Sequence, residues 1–162
     1  MFRKFKINEI FQKIKTEKVI GKAADFPQQP TDDYCVPLLT AAVTNQGLSR
    51  YARKDQCKTI LKNVLSVSAN GNAGAVFYQS DEFAVLQDAY AIKLRDKEIE
   101  NEAVGLYLAA ALNKAISENH DWANKAGWAK IENDYIWLPA IKKFIPDWDE
   151  ISCIQIGGVL IW

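Results

Sequence analysis

Two short polar segments carry the side chains best suited to reading another molecule. The first holds Asn45, Gln46, Arg50 and Arg53, and the second holds Asn70 and Asn72. An Asn or Gln amide can bond an adenine edge through both its donor and its acceptor, and an Arg guanidinium can do the same to guanine. Lys54, Lys58 and Lys62 follow the first segment. From Arg50 to Lys62, five cationic side chains stand against one carboxylate, Asp55. Such groups suit phosphate oxygens. A plainer chemistry competes at each position. Asn tolerates a left-handed backbone and closes turns, and Arg50 and Arg53 would serve equally on a solvated face.

Residues for catalysis are sparse. The one histidine, His120, falls at the end of a helical pattern, where an imidazole is a favourable partner for the helix dipole. A Ser-His or Cys-His nucleophile pair would have to use it. Gly71-Asn72-Ala73-Gly74 is glycine-rich but lacks the Lys-Ser/Thr of a phosphate loop and leads into no helix pattern. There is no Asn/Asp-Pro-Pro-Tyr/Phe tetrapeptide and no glycine-rich cofactor turn, so methyl transfer by this chain alone is not expected. A magnesium nuclease would need clustered carboxylates near a Lys on adjacent strands. Asp88 sits in a strand pattern, but Asp96-Lys97-Glu98 has the character of a loop. No catalytic residue, metal ligand or cofactor is assigned.

The elements that must position the polar segments fit one domain. The chain has 162 residues, enough for a core of its own. Its 49% hydrophobic and 25% charged residues are those of a globular chain, not a disordered one. Net charge is zero, but it is segregated. Residues 1–62 hold 12 Lys/Arg and 6 Asp/Glu, whereas residues 63–162 hold 8 and 14. Such a chain can present a basic face to phosphates while the rest looks elsewhere. The three cysteines, Cys35, Cys57 and Cys153, include no CxxC pair and suit a reducing cytoplasm. The basic N-terminus lacks the apolar run and cleavage site of a signal peptide. No stretch reaches the roughly 18 apolar residues of a membrane span.

Along the chain, Ile7, Ile10, Phe11 and Ile14 predict a short helix. Residues 25–33, with two prolines, read as a loop, and residues 34–40 as a strand. Asn45-Gln46-Gly47 reads as a turn with Gly47 available for positive φ. Residues 62–68 and 75–78 flank Asn70-Gly71-Asn72 and predict a hairpin. Residues 83–94 read as one long strand. Residues 99–118 form the clearest helix, Ala-rich and acidic at its start. Residues 135–138 read as a strand stopped by Pro139, and residues 153–161 as a last strand. Strands, one long helix, then strands again is an α+β pattern.

Several of these pieces, in this order, resemble the target recognition domain of type I restriction-modification DNA specificity subunits. They are the lead-in Phe5-Lys6-Ile7-Asn8-Glu9-Ile10-Phe11, the strand Val36-Pro37-Leu38-Leu39-Thr40 with Asn45-Gln46-Gly47-Leu48, and the glycine-rich hairpin of residues 68–78 ending in Phe77-Tyr78. Then come Asp88-Ala89-Tyr90-Ala91-Ile92, the Ala-rich helix, Trp128, and Ile136-Trp137-Leu138-Pro139 followed by Asp147-Trp148-Asp149. The resemblance covers residues 5–150. It implies an α+β target-recognition domain with a twisted, partly barrel-like sheet and one long Ala-rich helix. Such a domain docks in the major groove of double-stranded DNA through its loops. It holds a DNA methyltransferase subunit, and in some systems a restriction endonuclease subunit, at the site. The methyl donor would belong to the partner, so this chain needs no cofactor. Similar domains occur in related single-chain and two-subunit restriction-methylation enzymes.

There are two departures. A full specificity subunit joins two such domains by long helices, whereas this chain has one domain and no heptad stretch. A homodimer reading two half-sites would answer that. Residues 151–162 are apolar where the family begins a polar helix, which suits either a shortened gene product or a segment that pairs with another chain. The expectation is a non-catalytic, cytoplasmic DNA specificity subunit or half-subunit with no membrane association, contacting DNA through Asn45, Gln46, Arg50, Arg53, Asn70 and Asn72. The alternatives are a module or decoy that binds protein instead of DNA and, with less support, a small metal-dependent nuclease using the scattered carboxylates, for which cleavage lost on mutating Asp88 would be the sign.

Overall fold

The structure, a computed structural model, describes residues 1–69, 75–119, 125–142 and 145–153. The chain opens with β1 (Phe2–Lys6), α1 (Ile7–Ile10) and β2 (Phe11–Lys13), followed by β3 (Tyr34–Leu39), β4 (Leu48–Arg53), β5 (Val64–Ser68), β6 (Val76–Gln79), β7 (Ala84–Val85) and β8 (Ala89–Leu94). The long helix α2 (Glu102–Asn119) comes next, then α3 (Trp128–Ile131), β9 (Tyr135–Lys142), β10 (Ile145–Pro146) and α4 (Trp148–Cys153). The mixed α+β pattern with one long helix is as the sequence implies.

The strands form no closed barrel among the described residues. They divide into three sheets, in the orders β1-β9-β10, β2-β8-β5-β6 and β4-β3-β7. The partly barrel-like single sheet is thus replaced by small sheets in layers. Strand alternation explains how they stack. On β5 and its neighbours, Leu65, Val67, Tyr78, Tyr90 and Ile92 turn to one face and join α2 in the main core. Val64, Ala89 and Ala91 turn to the other face and pack with Leu39 of β3 and Val85 of β7. That second face is built from small side chains, including the buried Ser66 and Ser68, which allows the three-stranded sheet to come close.

Helix α2 packs Val104, Leu108, Ala111, Leu112, Ala115 and Ile116 inward at the three-four spacing visible in the sequence. It begins three residues later than the periodicity predicts because the Asn101 side chain accepts the Val104 N–H at 3.0 Å and caps it. Asn113 binds both backbone groups of Val76, accepting its N–H at 2.7 Å and donating to its carbonyl at 2.9 Å. The outer edge of β6 is thereby paired by a side chain.

Four expectations on the elements need correction. The helix expected over residues 7–14 stops at Ile10; Phe11 turns extended, and β2 pairs with β8 from Phe11↔Leu94. The apolar spacing of Ile7, Ile10, Phe11 and Ile14 is too short to tell a helix from a helix-strand junction. The long strand over residues 83–94 is two strands. β7 runs parallel to β3 in one sheet, and β8 runs antiparallel to β5 in another. The chain changes sheet at Asp88, whose φ is 54°. Pro139 does not stop its strand: β9 continues to Lys142, with Phe2 opposite Pro139. The β1 ladder takes its bond from the Ala140 N–H to the Met1 carbonyl at 2.7 Å, so position 139 is not asked for a donor on that side. On the other side β10 carries a register shift. Cys153 closes α4 instead of opening a strand, and residues 154–161 of that expected strand lie outside the described residues, as does His120.

Candidate nucleic-acid interface

The turn joining β3 to β4 is the most unusual backbone in the described chain. Asn45 (φ 50°, ψ 42°) and Gln46 (φ 57°, ψ 27°) are left-handed, and Gly47 follows at φ 80°. Two adjacent positive-φ residues match the right-handed twist of a hairpin. Asn takes this conformation readily, and Gln does not. Asn45 stabilises the turn itself, donating from Nδ2 to the Leu48 carbonyl at 2.7 Å. Thr40 closes its base, with its N–H donating to the Gly47 carbonyl at 2.9 Å and its hydroxyl 3.2 Å from the Ser49 hydroxyl.

Gln46 is held from below. Gln79, the last residue of β6, is 2% exposed. Its Nε2 donates to the Gln46 carbonyl at 2.7 Å and to the Ser66 hydroxyl at 3.1 Å. A buried amide engaged in this way holds a strained turn in place. The side chains of Asn45 and Gln46 stand exposed above it.

The two arginines are separated. Arg50 and Arg53 lie three residues apart on β4, so alternation sends them to opposite faces. Arg50 is half-buried and donates from Nη1 to the Phe26 carbonyl at 3.2 Å. A guanidinium has five donors, so most of its capacity is left. Arg53 donates from Nε to Asp55 at 3.1 Å and from Nη1 to the Tyr34 hydroxyl at 3.2 Å, with its guanidinium carbon 5.5 Å from the Tyr34 ring centroid. The hydrogen bond and charge of Asp55 raise the Arg53 pKa, holding it as a cation. Lys54, Lys58 and Lys62 extend the basic stretch, and Lys58 pairs with Glu17 at 3.5 Å. The structure therefore brings Asn45 and Gln46 together and places Arg50 and Arg53 apart from each other. Asn70 and Asn72 lie outside the described residues. The strands that flank them pair as a hairpin requires, Val67 opposite Val76.

Sequence reasoning missed Gln79. The only signal was a polar residue closing the apolar strand Val76-Phe77-Tyr78, and nothing local says that it is buried. Among the described residues, no three His, Cys, Asp or Glu gather to hold a metal ion, and no helix is long and apolar enough to cross a membrane. Cys35, Cys57 and Cys153 are free thiols.

The site is thus a left-handed turn with two exposed amide side chains, braced from below by buried Gln79, with Arg50 and Arg53 farther along β4. The chain belongs to the type I restriction modification DNA specificity domain family, whose model matches residues 2–147. That is nearly the stretch that carries the resemblance in sequence. Solved structures agree on the fold. The S subunit of a type I restriction-modification system from M. genitalium matches with a TM-score of 0.59 and 14% identity, over 93% of this chain and 37% of that one. The HsdS subunit from Thermoanaerobacter tengcongensis matches with a TM-score of 0.55 and 13% identity, over 93% of this chain and 35% of that one. A chain from a structure on complex assembly and conformational transition of the type I R-M system gives 0.57 and 12%, over 93% and 36%. This chain spans little more than a third of the length of these proteins. No curated protein matches it.

Proposed function

We propose that this chain is a DNA target recognition domain that reads a short half-site and itself performs no chemistry. It directs a methyltransferase subunit, and in a complete system an endonuclease subunit, to that site. Two copies would read two half-sites, and cytoplasmic work on DNA would follow. The observation that carries this reading is the β3–β4 turn. Asn45 and Gln46 are exposed in left-handed conformations while buried Gln79 holds the backbone beneath them. Strain held by a buried polar group is kept where a side chain must point in a set direction. Gln46 is assigned to base contact and Asn45 to the turn with its remaining polar atoms outward. Arg50, Arg53, Asn70 and Asn72 complete the contact set.

The test is selection from a randomised duplex pool at two salt concentrations, with the chain alone and with a type I methyltransferase subunit. Enrichment of one motif is expected. Affinity that collapses with salt and favours no motif would overturn the reading, because it leaves only phosphate contact. Arg50→Ala separates two roles. If Arg50 reads a base, binding to the motif weakens by about 1–3 kcal/mol and preference changes at one position; if it touches phosphate alone, all sequences weaken alike.

A second reading, a module that binds protein and not DNA, has its own observation. Phe2, Tyr135, Trp137, Ile141 and Ile145 are exposed on β1, β9 and β10. Tight association with the methyltransferase subunit, without motif enrichment, would select it.

A further inference from the structure

A basic groove beside β2 involves none of the residues assigned to base contact. Lys13, Lys15 and Lys18 line it together with Asp88, Tyr90 and Trp128, and its volume is about 540 Å³. The lysines belong to a strap, residues 13–19, that crosses from one sheet to another. The Ile14 N–H donates to the Ala91 carbonyl of β8 at 2.9 Å, and the Val19 N–H donates to the Val85 carbonyl of β7 at 3.0 Å. Ile14 and Val19 pack inward against the two apolar clusters at that seam. The three lysines are left exposed.

The strap's one carboxylate is turned to other partners. Glu17 pairs with Lys58 at 3.5 Å, and its N–H donates to the Thr59 hydroxyl at 3.1 Å. Among the described residues, Lys13, Lys15 and Lys18 form no ion pair, and Asp88 is the one carboxylate lining the groove. Lys13 sits 5.4 Å from the Tyr90 ring centroid, so its charge lies over an aromatic floor. The groove also abuts the end of β5. Ala69 lines it and donates its N–H to the Asp88 carbonyl at 2.9 Å. One residue earlier, the Ser68 hydroxyl donates to the carbonyl of Ala41, in the segment that leads into the Asn45–Gln46 turn.

We infer that this groove takes the sugar-phosphate backbone of the duplex whose bases the β3–β4 turn reads, an inference that rests on the DNA-recognition reading above. The chemistry fits a continuous polyanion. Three ammonium groups on a pinned strap offer point charges to phosphate oxygens, with no base-reading amide or guanidinium among the groove's lining residues. Trp128, half-buried at the groove wall, offers an apolar surface to the sugars. These lysines therefore supply affinity and register, and sequence preference comes from elsewhere.

The experiment titrates the full chain with two duplexes, one carrying the enriched motif and one lacking it, over a range of salt. A variant with Lys13→Gln, Lys15→Gln and Lys18→Gln is compared with one carrying Arg at the same positions. In the Gln variant both duplexes should weaken by the same factor. The slope of log affinity against log salt should flatten by about 0.9 for each phosphate no longer neutralised. The enriched motif should not change. The Arg variant should keep the wild-type slope. Wild-type slope in the Gln variant, a weakening confined to the motif duplex, or failure of Arg to restore the slope would each overturn the groove assignment while leaving the turn assignment intact. Wild-type protein that binds neither duplex would overturn both. Circular dichroism of the variants should match wild type, since the replaced side chains are exposed.

Discussion

At the scale of residues, Gln46 carries the sharpest prediction because its two roles pull in opposite directions. A non-glycine residue at φ 57° is strained, and glycine there is not. Gln46→Gly is expected to raise stability in urea unfolding by about 0.5–1 kcal/mol. The same change should reduce discrimination between the enriched motif and other sequences. A rise in stability with discrimination intact would mean that the side chain reads nothing. Gln79 gives the complementary case. Gln79→Leu removes the donor to the Gln46 carbonyl and to the Ser66 hydroxyl. A cost of about 1–3 kcal/mol is expected. Motif discrimination should broaden, while the salt dependence of binding stays as in wild type. Unaltered discrimination would reduce Gln79 to an ordinary core contact.

At the scale of elements, the seat of α2 on β6 depends on one missing side chain. A Cβ on Gly105 would lie 2.4 Å from Tyr78 Cδ1. The ring cannot swing clear at little cost, because its hydroxyl donates to Asn63 Oδ1 at 2.6 Å and Asn63 in turn donates from Nδ2 to the Ile99 carbonyl at 3.0 Å. Helix propensity favours Ala over Gly by about 1 kcal/mol, and overpacking typically costs about 1–3 kcal/mol. Overpacking is the larger effect here, so Gly105→Ala is expected to lower the urea midpoint. A higher midpoint would show that the helix and β6 can separate freely. Asn63 adds a second constraint at this seam: its φ of 57° turns the chain into β5, and its amide ties that turn to the approach of α2.

At the scale of the whole molecule, two tyrosines buried in the main core couple stability to pH. Tyr90 donates its hydroxyl to the Ala126 carbonyl at 2.8 Å, and burial pushes its pKa far up. Burial, with the charge of Glu150 adding to it, raises Tyr107 to about 12. The unfolded chain, with ordinary tyrosines, gives up these protons first. Their contribution is therefore complete below about pH 10 and is lost as pH rises above it, by about 1.4 kcal/mol per pH unit for each tyrosine. For Tyr107 the loss levels off near about 12. Urea unfolding at a series of alkaline pH values should show this decline, shallower in Tyr90→Phe and in Tyr107→Phe. A decline as steep as that of wild type in both variants would assign it to other groups.

The sequence by itself determined the long helix, several of the strands, the α+β pattern and the family. Those signals are local: Asn45-Gln46-Gly47 makes a turn, residues 64–68 make a strand, and Leu108, Leu112 and Ile116 make one face of a helix. The tertiary structure alone decided which strand pairs with which. Alternation marks a strand without naming its neighbour, so residues 83–94 read as one strand although β7 and β8 belong to different sheets. The same holds for the candidate site. Gln46 and Gln79 are 33 residues apart, and neither position announces the other. Nothing local in the sequence groups Lys13, Lys15 and Lys18; Ile14 and Val19 do so by pinning their strap across two sheets. Burial and convergence arise from contacts between distant segments, and only the folded chain brings those segments together.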